Sequence, residues 1–302
     1  MPPTAAPIAT GTDHRPGSFW QRFVLFLDTI KFEHSVFALP FAVLTTFMVT
    51  TGVPSLGTLS WIIVAMVGMR TFGMGANRLI DAEIDARNPR TSSRALPAGR
   101  ISKREVWLYM LVSGAAFGLA VSQLDPLAWI LSPIPVLVMI GYPYLKRFTW
   151  VAHLGLGTVY LIVPPAVWIA MTGELPAGII ILGIGAMLWV TGFDVLYGTA
   201  DYDVDRAQGL HSIPSRFGIA RALMIARLFH AISVGCLAAA GALLGAGPLY
   251  FIGVAIAGAL LAYENSLVSA KDLSRLNMAF FTMNGVIALV FGVFASLDAM
   301  LR

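Results

Sequence analysis

Residues 77–104 read NRLIDAEIDARNPRTSSRALPAGRISKR, and the fold is decided by how this stretch is read. Asn77, Asp81 and Asp85 stand four residues apart. On an α-helix that spacing puts all three on one face, a polar stripe ~12 Å long at ~1.5 Å rise per residue. Arg87, Arg90, Arg94, Arg100, Lys103 and Arg104 follow, the last of them leading into the next helix. Hard oxygen ligands suit Mg²⁺, which binds through one or two carboxylates and completes its shell with water and substrate phosphates. Guanidinium groups suit the remaining phosphate oxygens. The stretch predicts a Mg²⁺–diphosphate site, against the plainer reading of a solvated loop after a membrane helix.

The surroundings of this stretch are apolar. The chain has 302 residues, 57% hydrophobic and 12% charged, against about 25% charged in a soluble domain. Its mean hydropathy is +0.77. Backbone groups in lipid must pair within their own segment, so the expected fold is all-α and polytopic. Nine apolar segments, near 34–51, 59–80, 105–123, 126–142, 151–171, 175–199, 219–244, 247–268 and 277–299, approach the ~20 residues a bilayer requires. Residues 1–18, rich in Pro, Thr, Ala and Gly, lack the apolar stretch of a signal peptide and read as a disordered cytoplasmic tail; 19–302 form the membrane domain. Residues 19–31 mix Trp20, Phe23 and Phe26 with Arg22, Asp28 and Lys31, a pattern for an interfacial helix. Pro133 and Pro135 in the fourth segment, and Pro164 and Pro165 in the fifth, predict kinks. Ser102 and Glu105 form a capping-box pattern at the start of the third. The single cysteine, Cys236, lies in an apolar run and reads as a small hydrophobe.

The net charge of +4 reads as topology rather than nucleic-acid binding. With the N-terminus inside, Arg15, Arg22 and Lys31, the 78–104 cluster, Lys146 and Arg147, Arg206 to Arg227, and Lys271 and Arg275 all fall on the cytoplasmic side. Only Arg70, within a span, and Arg302, at the far end, depart from this bias. A multi-pass protein of a bacterial-type inner or plasma membrane follows, with its site facing the cytoplasm.

A second acid cluster lies in DVLYGTADYDVDRAQGLHSIPSRFG, 194–218. Asp201 and Asp205 share a helical face, and four spans separate them from Asp81 and Asp85. Four is even, so both clusters emerge on the same side. Each ends an apolar span and is followed by arginine and a loop with Pro and Gly. The nine-helix bundle is therefore expected to contain two pseudo-repeated halves, with two acid pairs suited to two Mg²⁺ ions on one diphosphate.

Asn77–Arg78–Leu79–Ile80–Asp81–Ala82–Glu83–Ile84–Asp85 resembles the NxxxDxxxD motif of the UbiA superfamily of intramembrane aromatic prenyltransferases. Asp201–Tyr202–Asp203–Val204–Asp205 is similar to its second motif, DxxxD. The resemblance extends to KFEHSVFALPFA at 31–42 and YPYLKRFTW at 142–150, and covers nearly all of the chain beyond residue 18. Within the family, KFEHSVFALPFA, NPRTSSRALPAGR and GLHSIPSRFG look most like the 4-hydroxybenzoate polyprenyltransferase-like branch. The resemblance implies that Asn77, Asp81, Asp85, Asp201 and Asp205 hold Mg²⁺ on a polyprenyl diphosphate, with Asp203 a looser member. It further implies electrophilic prenylation of an aromatic acid, either a 4-hydroxybenzoate in quinone biosynthesis or a carboxylated dihydroxynaphthalene in the futalosine route to menaquinone.

Lys31, Arg70, Arg78, Arg87, Arg90 and Arg94 are candidate diphosphate contacts, although topogenic charge accounts for the loop arginines as well. Arg70 is different, because a charge within a span needs a partner. Asp194, seven residues before Asp201, is its counterpart and a candidate catalytic acceptor of the ring hydroxyl's proton. Tyr142, Lys146 and Arg147 form a short segment on the same side, where Arg147 could hold an acceptor carboxylate in a fork. Glu33 and His34 are further candidate substrate contacts or an interfacial pair. His153, His211 and His230 lack metal-ligand spacing and read as structural or loop residues. The rivals are a secondary transporter, whose acids tend to sit near the midplane, and a non-catalytic assembly factor, which would not need both acid pairs.

Overall fold

The computed structural model describes residues 18–32 and 35–302, and among these there is no strand. Most of the expected tail, and Glu33 and His34, lie outside the described residues. Helix α1, Phe19–Thr29, starts at Ser18, whose hydroxyl accepts from Gln21 N while Gln21 Oε1 accepts from Ser18 N, both at 3.3 Å. The helices that follow are α2 (Ser35–Thr50), α3 (Leu56–Ile80), the short α4 (Ala82–Arg87) and α5 (Lys103–Val121). The Ser102–Glu105 capping box starts α5 as the sequence predicts, and Glu105 also pairs with Arg22 of α1.

The fourth span breaks at its prolines. α6 (Pro126–Leu131) ends at Ser132, α7 (Pro133–Gly141) restarts there, and a 3₁₀ turn over Tyr142–Arg147 completes it. In contrast, α8 (Ala152–Thr172) remains one helix through Pro164 and Pro165. Next come α9 (Ala177–Gly198), the short α10 (Tyr202–Ala207) and α11 (Ile213–Phe217), then α12 (Ile219–Leu243), α13 (Pro248–Ser266), a π-helical turn over Met278–Met283 and α14 (Asn284–Leu301). Among the described residues, eight helical segments are long and apolar enough to cross a membrane, and the shorter apolar 37–50 makes a ninth.

α9 packs between α8 and α12, α3 lies on α5, and α2 bridges α14, α8 and α3, closing an arc of helices around a common interior. Close approach depends on missing side chains. A Cβ on Gly183 of α9 would stand 2.4 Å from the Leu161 carbonyl oxygen of α8, so the two backbones can meet only at glycine. Outer faces are apolar: α5 exposes Trp107, Leu108, Leu111 and Val112, and α12 exposes Met224, Leu228 and Ile232. Such continuous apolar surface suits lipid, not water.

Candidate active site

The first acid motif keeps its helical register across a change of element. α3 ends at Ile80, yet Asp81 N bonds Asn77 O at 2.9 Å and Asp85 N bonds Asp81 O at 2.8 Å. Asn77, Asp81 and Asp85 therefore stay on one face although Asp81 itself is the joint between α3 and α4. The second motif sits at the equivalent place, with Asp201 closing a 3₁₀ turn at the end of α9 and Asp205 in α10.

Both motifs open into one cavity of about 730 Å³. Its wall brings together Asn77, Asp81, Asp85, Asp194, Asp201 and Asp205 with Lys31, Arg70, Arg78, Arg94, Tyr142 and Lys146. Two expected residues are not in that wall. Arg87 is exposed at the end of α4, and Arg147 turns back onto α3, its Nη2 donating to Ile80 O at 2.7 Å and lying 3.5 Å from Asp81 Oδ1. Asp203 and Glu83 are exposed.

Three of the four motif acids, Asp81, Asp85 and Asp201, are held by a base. Lys146 Nζ donates to Asp81 Oδ2 at 2.7 Å and Asn77 Nδ2 to the same oxygen at 3.1 Å. Arg94 Nη1 donates to Asp85 Oδ2 at 2.7 Å. Asp201 accepts from Asn88 Nδ2 at 2.9 Å and from both sides of the Arg90 fork. Arg78 is buried behind the motif, its Nε on Thr29 O at 2.8 Å, which ties α1 to the cavity. Burial pushes the Asp81 carboxyl above the usual range, against the pull of Lys146. Burial would lower the Arg90 guanidinium, but its bonds to Asp201 outweigh that and hold it above its ordinary value.

Two wall residues, Asn88 and Tyr197, escape the sequence reading, and a third, His153, reads there as structural yet lines the wall. Asn88 and Tyr197 brace Arg90, which donates Nη1 to Tyr197 OH at 3.1 Å. His153 donates or accepts at Nδ1 with Asp194 Oδ2, 2.7 Å away. Its ring lies against Gly198, where a Cβ would stand 2.9 Å from Cε1. None of the three carries a spacing signal, because each acts on a partner far away in the chain.

The donor set fits Mg²⁺. The oxygens are carboxylate and carboxamide, and among the described residues Asp81 Oδ1 is buried with no hydrogen-bond donor, Arg147 Nη2 standing 3.5 Å away; a bound cation would compensate it. Among the described residues no three His, Cys, Asp or Glu side chains converge as a metal cluster by themselves, so the remaining ligands would come from water and substrate phosphate.

Fold and site together define a polytopic membrane enzyme. The model of the UbiA prenyltransferase family matches residues 38–286, and the chain belongs to that family and is a prenyltransferase. It is similar to the 4-hydroxybenzoate octaprenyltransferase of Alkalilimnicola ehrlichii, 32% identical over 80% of this chain and 82% of that one. Similarity to the Pseudomonas entomophila protein of the same name is 35% over 70% and 72% of the two chains. Among solved structures, the apo UbiA homologue of Aeropyrum pernix K1 superposes with a TM-score of 0.80 at 29% identity, covering 88% of this chain and 98% of that one. The Archaeoglobus fulgidus homologue bound to GPP and Mg²⁺ shares the fold, with a TM-score of 0.68 at 21% identity over 92% and 100% of the chains.

Proposed function

We propose that this chain transfers a polyprenyl group from a polyprenyl diphosphate to an aromatic acid of the 4-hydroxybenzoate type, in respiratory quinone biosynthesis, at a site open to the cytoplasm. The observation that carries the reading is the junction of two cavities. The charged one, about 730 Å³, meets a second of about 450 Å³ whose wall is almost wholly apolar, and Arg70 and Tyr160 border both. A molecule with a diphosphate head and a long hydrocarbon tail matches that pair. The curated relatives named above support the acceptor class.

Asn77, Asp81, Asp85, Asp201 and Asp205 would hold Mg²⁺, which when bound neutralises charge growing on a departing diphosphate. Lys146, Arg90 and Arg94, which pair with the acids, would turn to phosphate oxygens as the substrate enters, adding fixed positive charge where negative charge develops. The allylic C1–O bond breaks with its electron pair on the diphosphate, a ring carbon of the acceptor bonds to C1, and that carbon's proton passes to a diphosphate oxygen, so the products are prenylated acid and hydrogen diphosphate. The helices around the cavity would limit the access of water to the cationic carbon. The basic bias of the loops at the acid end supports cytoplasmic access.

The test is incubation of membranes carrying the chain with labelled polyprenyl diphosphates and a panel of acceptors, followed by product mass. A prenylated 4-hydroxybenzoate is expected; a product only from a dihydroxynaphthalene acid would move the enzyme to the menaquinone branch, and no aromatic product would overturn the reading.

A further inference from the structure

A polar cluster lies between α9, α13 and α14, outside the wall of the charged cavity. Glu264 of α13 and Asn284 of α14 are fully buried, and Trp189 of α9 is buried beside them. Trp189 Nε1 donates to Asn284 Oδ1 at 2.7 Å. Asn284 Nδ2 donates to Glu264 Oε1 at 3.2 Å. The same nitrogen reaches Ala279 O at 3.2 Å and Phe280 O at 3.0 Å. One carboxamide thus joins three helices. A carboxyl group inside a span is costly, and its default reading is functional.

Asn284 follows directly on the π-helical turn over Met278–Met283. Such turns are rare and gather at functional sites. The Asn284 backbone N–H bonds Phe281 O, and its side chain serves the two carbonyls before that one. Hydrocarbon offers no water to replace it. Without the carboxamide, the turn would regain donors by closing into α-helical register. At ~3.6 residues per turn, losing one residue of the bulge rotates everything ahead of it by ~100° about the helix axis.

The turn carries Phe280 and Phe281 in the cavity wall. The Phe280 ring stacks on Tyr197 with 4.0 Å between centroids and meets Phe193 edge-on at 5.3 Å. Tyr197 in turn lies beneath Arg90, whose guanidinium carbon is 5.1 Å from the ring centroid and whose Nη1 donates to the Tyr197 hydroxyl at 3.1 Å. Arg90 grips Asp201. A continuous line of contacts therefore runs from Glu264 to the second acid motif.

We propose that Asn284, braced by Glu264, is a positioning residue for prenyl diphosphate binding: it maintains the π turn, the turn sets the Phe280 ring, and that ring fixes Tyr197 beneath Arg90. The inference rests on the transfer reaction proposed above, in which Arg90 turns from Asp201 to phosphate. Tyr197 stays beneath the guanidinium during that swing and limits its arc. Neither Asn284 nor Glu264 stands in the cavity wall, so both act through the aromatic rings. Glu264 serves Asn284 as an acceptor, a role that the carboxamide oxygen of glutamine can fill and leucine cannot.

The experiment measures binding of geranyl diphosphate with Mg²⁺ to the purified full-length chain by titration calorimetry, for which no acceptor is needed. Asn284→Leu keeps the volume and removes the donors; its Kd is expected to rise on the order of 10-fold, a magnitude that relayed contacts carry. Phe280→Leu should weaken binding as well. The double variant should bind no worse than Phe280→Leu alone, because both changes act along one line. Glu264→Gln should bind as wild type does, and Glu264→Leu should follow Asn284→Leu; Glu264→Leu carries the cycle with Phe280→Leu if Asn284→Leu does not accumulate. An unchanged Kd in Asn284→Leu overturns the assignment, and so do losses that add in the double variant, which would leave Asn284 a packing residue. Equal losses in Glu264→Gln and Glu264→Leu remove Glu264 from the relay. A wild type that binds no prenyl diphosphate refutes the proposed function and this inference with it, whereas a wild type that binds, with variants its equal, refutes the inference alone.

Discussion

Arg90, in the loop after the first acid motif, grips Asp201 of the second by a two-point fork, Nε to Oδ1 at 2.9 Å and Nη2 to Oδ2 at 2.5 Å. Asn88, two residues earlier, adds a third bond and accepts from the Arg90 backbone N–H at 2.9 Å. The two halves of the bundle are thus tied across the site by side chains 111 and 113 residues apart in the chain. Lysine cannot reproduce the fork. Arg90→Lys is expected to lower kcat/KM for prenyl diphosphate on the order of 10-fold, about 1.4 kcal/mol. The pair is partly exposed, so melting of the purified protein should shift by no more than about 1 kcal/mol equivalent.

Removing a motif acid should be more severe. Asp81→Ala and Asp201→Ala are each expected to abolish transfer while leaving the protein in the membrane at its usual level. Chelator should silence the wild type and added Mg²⁺ restore it. Full activity in either variant would dismantle the two-motif site.

Arg147 braces the acid-motif end of α3 through Ile80 O and Asp81, and its ring-stacked guanidinium lies 4.9 Å from the Tyr144 centroid. Arg147→Lys is therefore expected to raise the Mg²⁺ concentration needed for half-maximal activity, leaving the acceptor KM near its wild-type value. A rise confined to the acceptor KM would return the carboxylate to Arg147.

His153 is expected to act through Asp194 alone, since among the described residues its Nε2 is buried with no hydrogen-bond partner. The amide of His153→Asn can donate from near the place of Nδ1, whereas the longer side chain of His153→Gln cannot fit against Gly198 in the same way. Asn should retain most of kcat and Gln should lose it, with equal KM for prenyl diphosphate in both. Equal loss in the two would make His153 a packing residue only.

Orientation can be read by labelling single cysteines in a Cys236→Ala background. Position 87, exposed beside the first motif, and position 208, after the second, are expected to react from the cytoplasmic face only, and position 174 from the opposite face. Labelling of 87 and 208 from opposite faces would contradict the cavity that the two neighbouring acid motifs share.

The spans, the helical fold and the two acid motifs follow from the sequence, because each rests on a local rule: about twenty apolar residues to cross a bilayer, four-residue spacing to share a helix face. The break within the fourth span at Ser132 follows the kink its prolines predict, proline being a local constraint, whereas α8 runs on as one helix through Pro164 and Pro165. Roles for basic residues were not legible. Arg87, Arg90, Arg94 and Arg147 look alike in sequence, yet one is exposed, two hold acids of different motifs and one turns behind the site. A guanidinium on a long, flexible stem takes its role from the carboxylate within its reach, and only the packing of α3, α8 and α9 decides which one that is. His153 makes the same point: it pairs with Asp194 because glycine at 198 lets α8 and α9 close upon its ring, a contact between chain segments 41 residues apart that no spacing within either helix encodes.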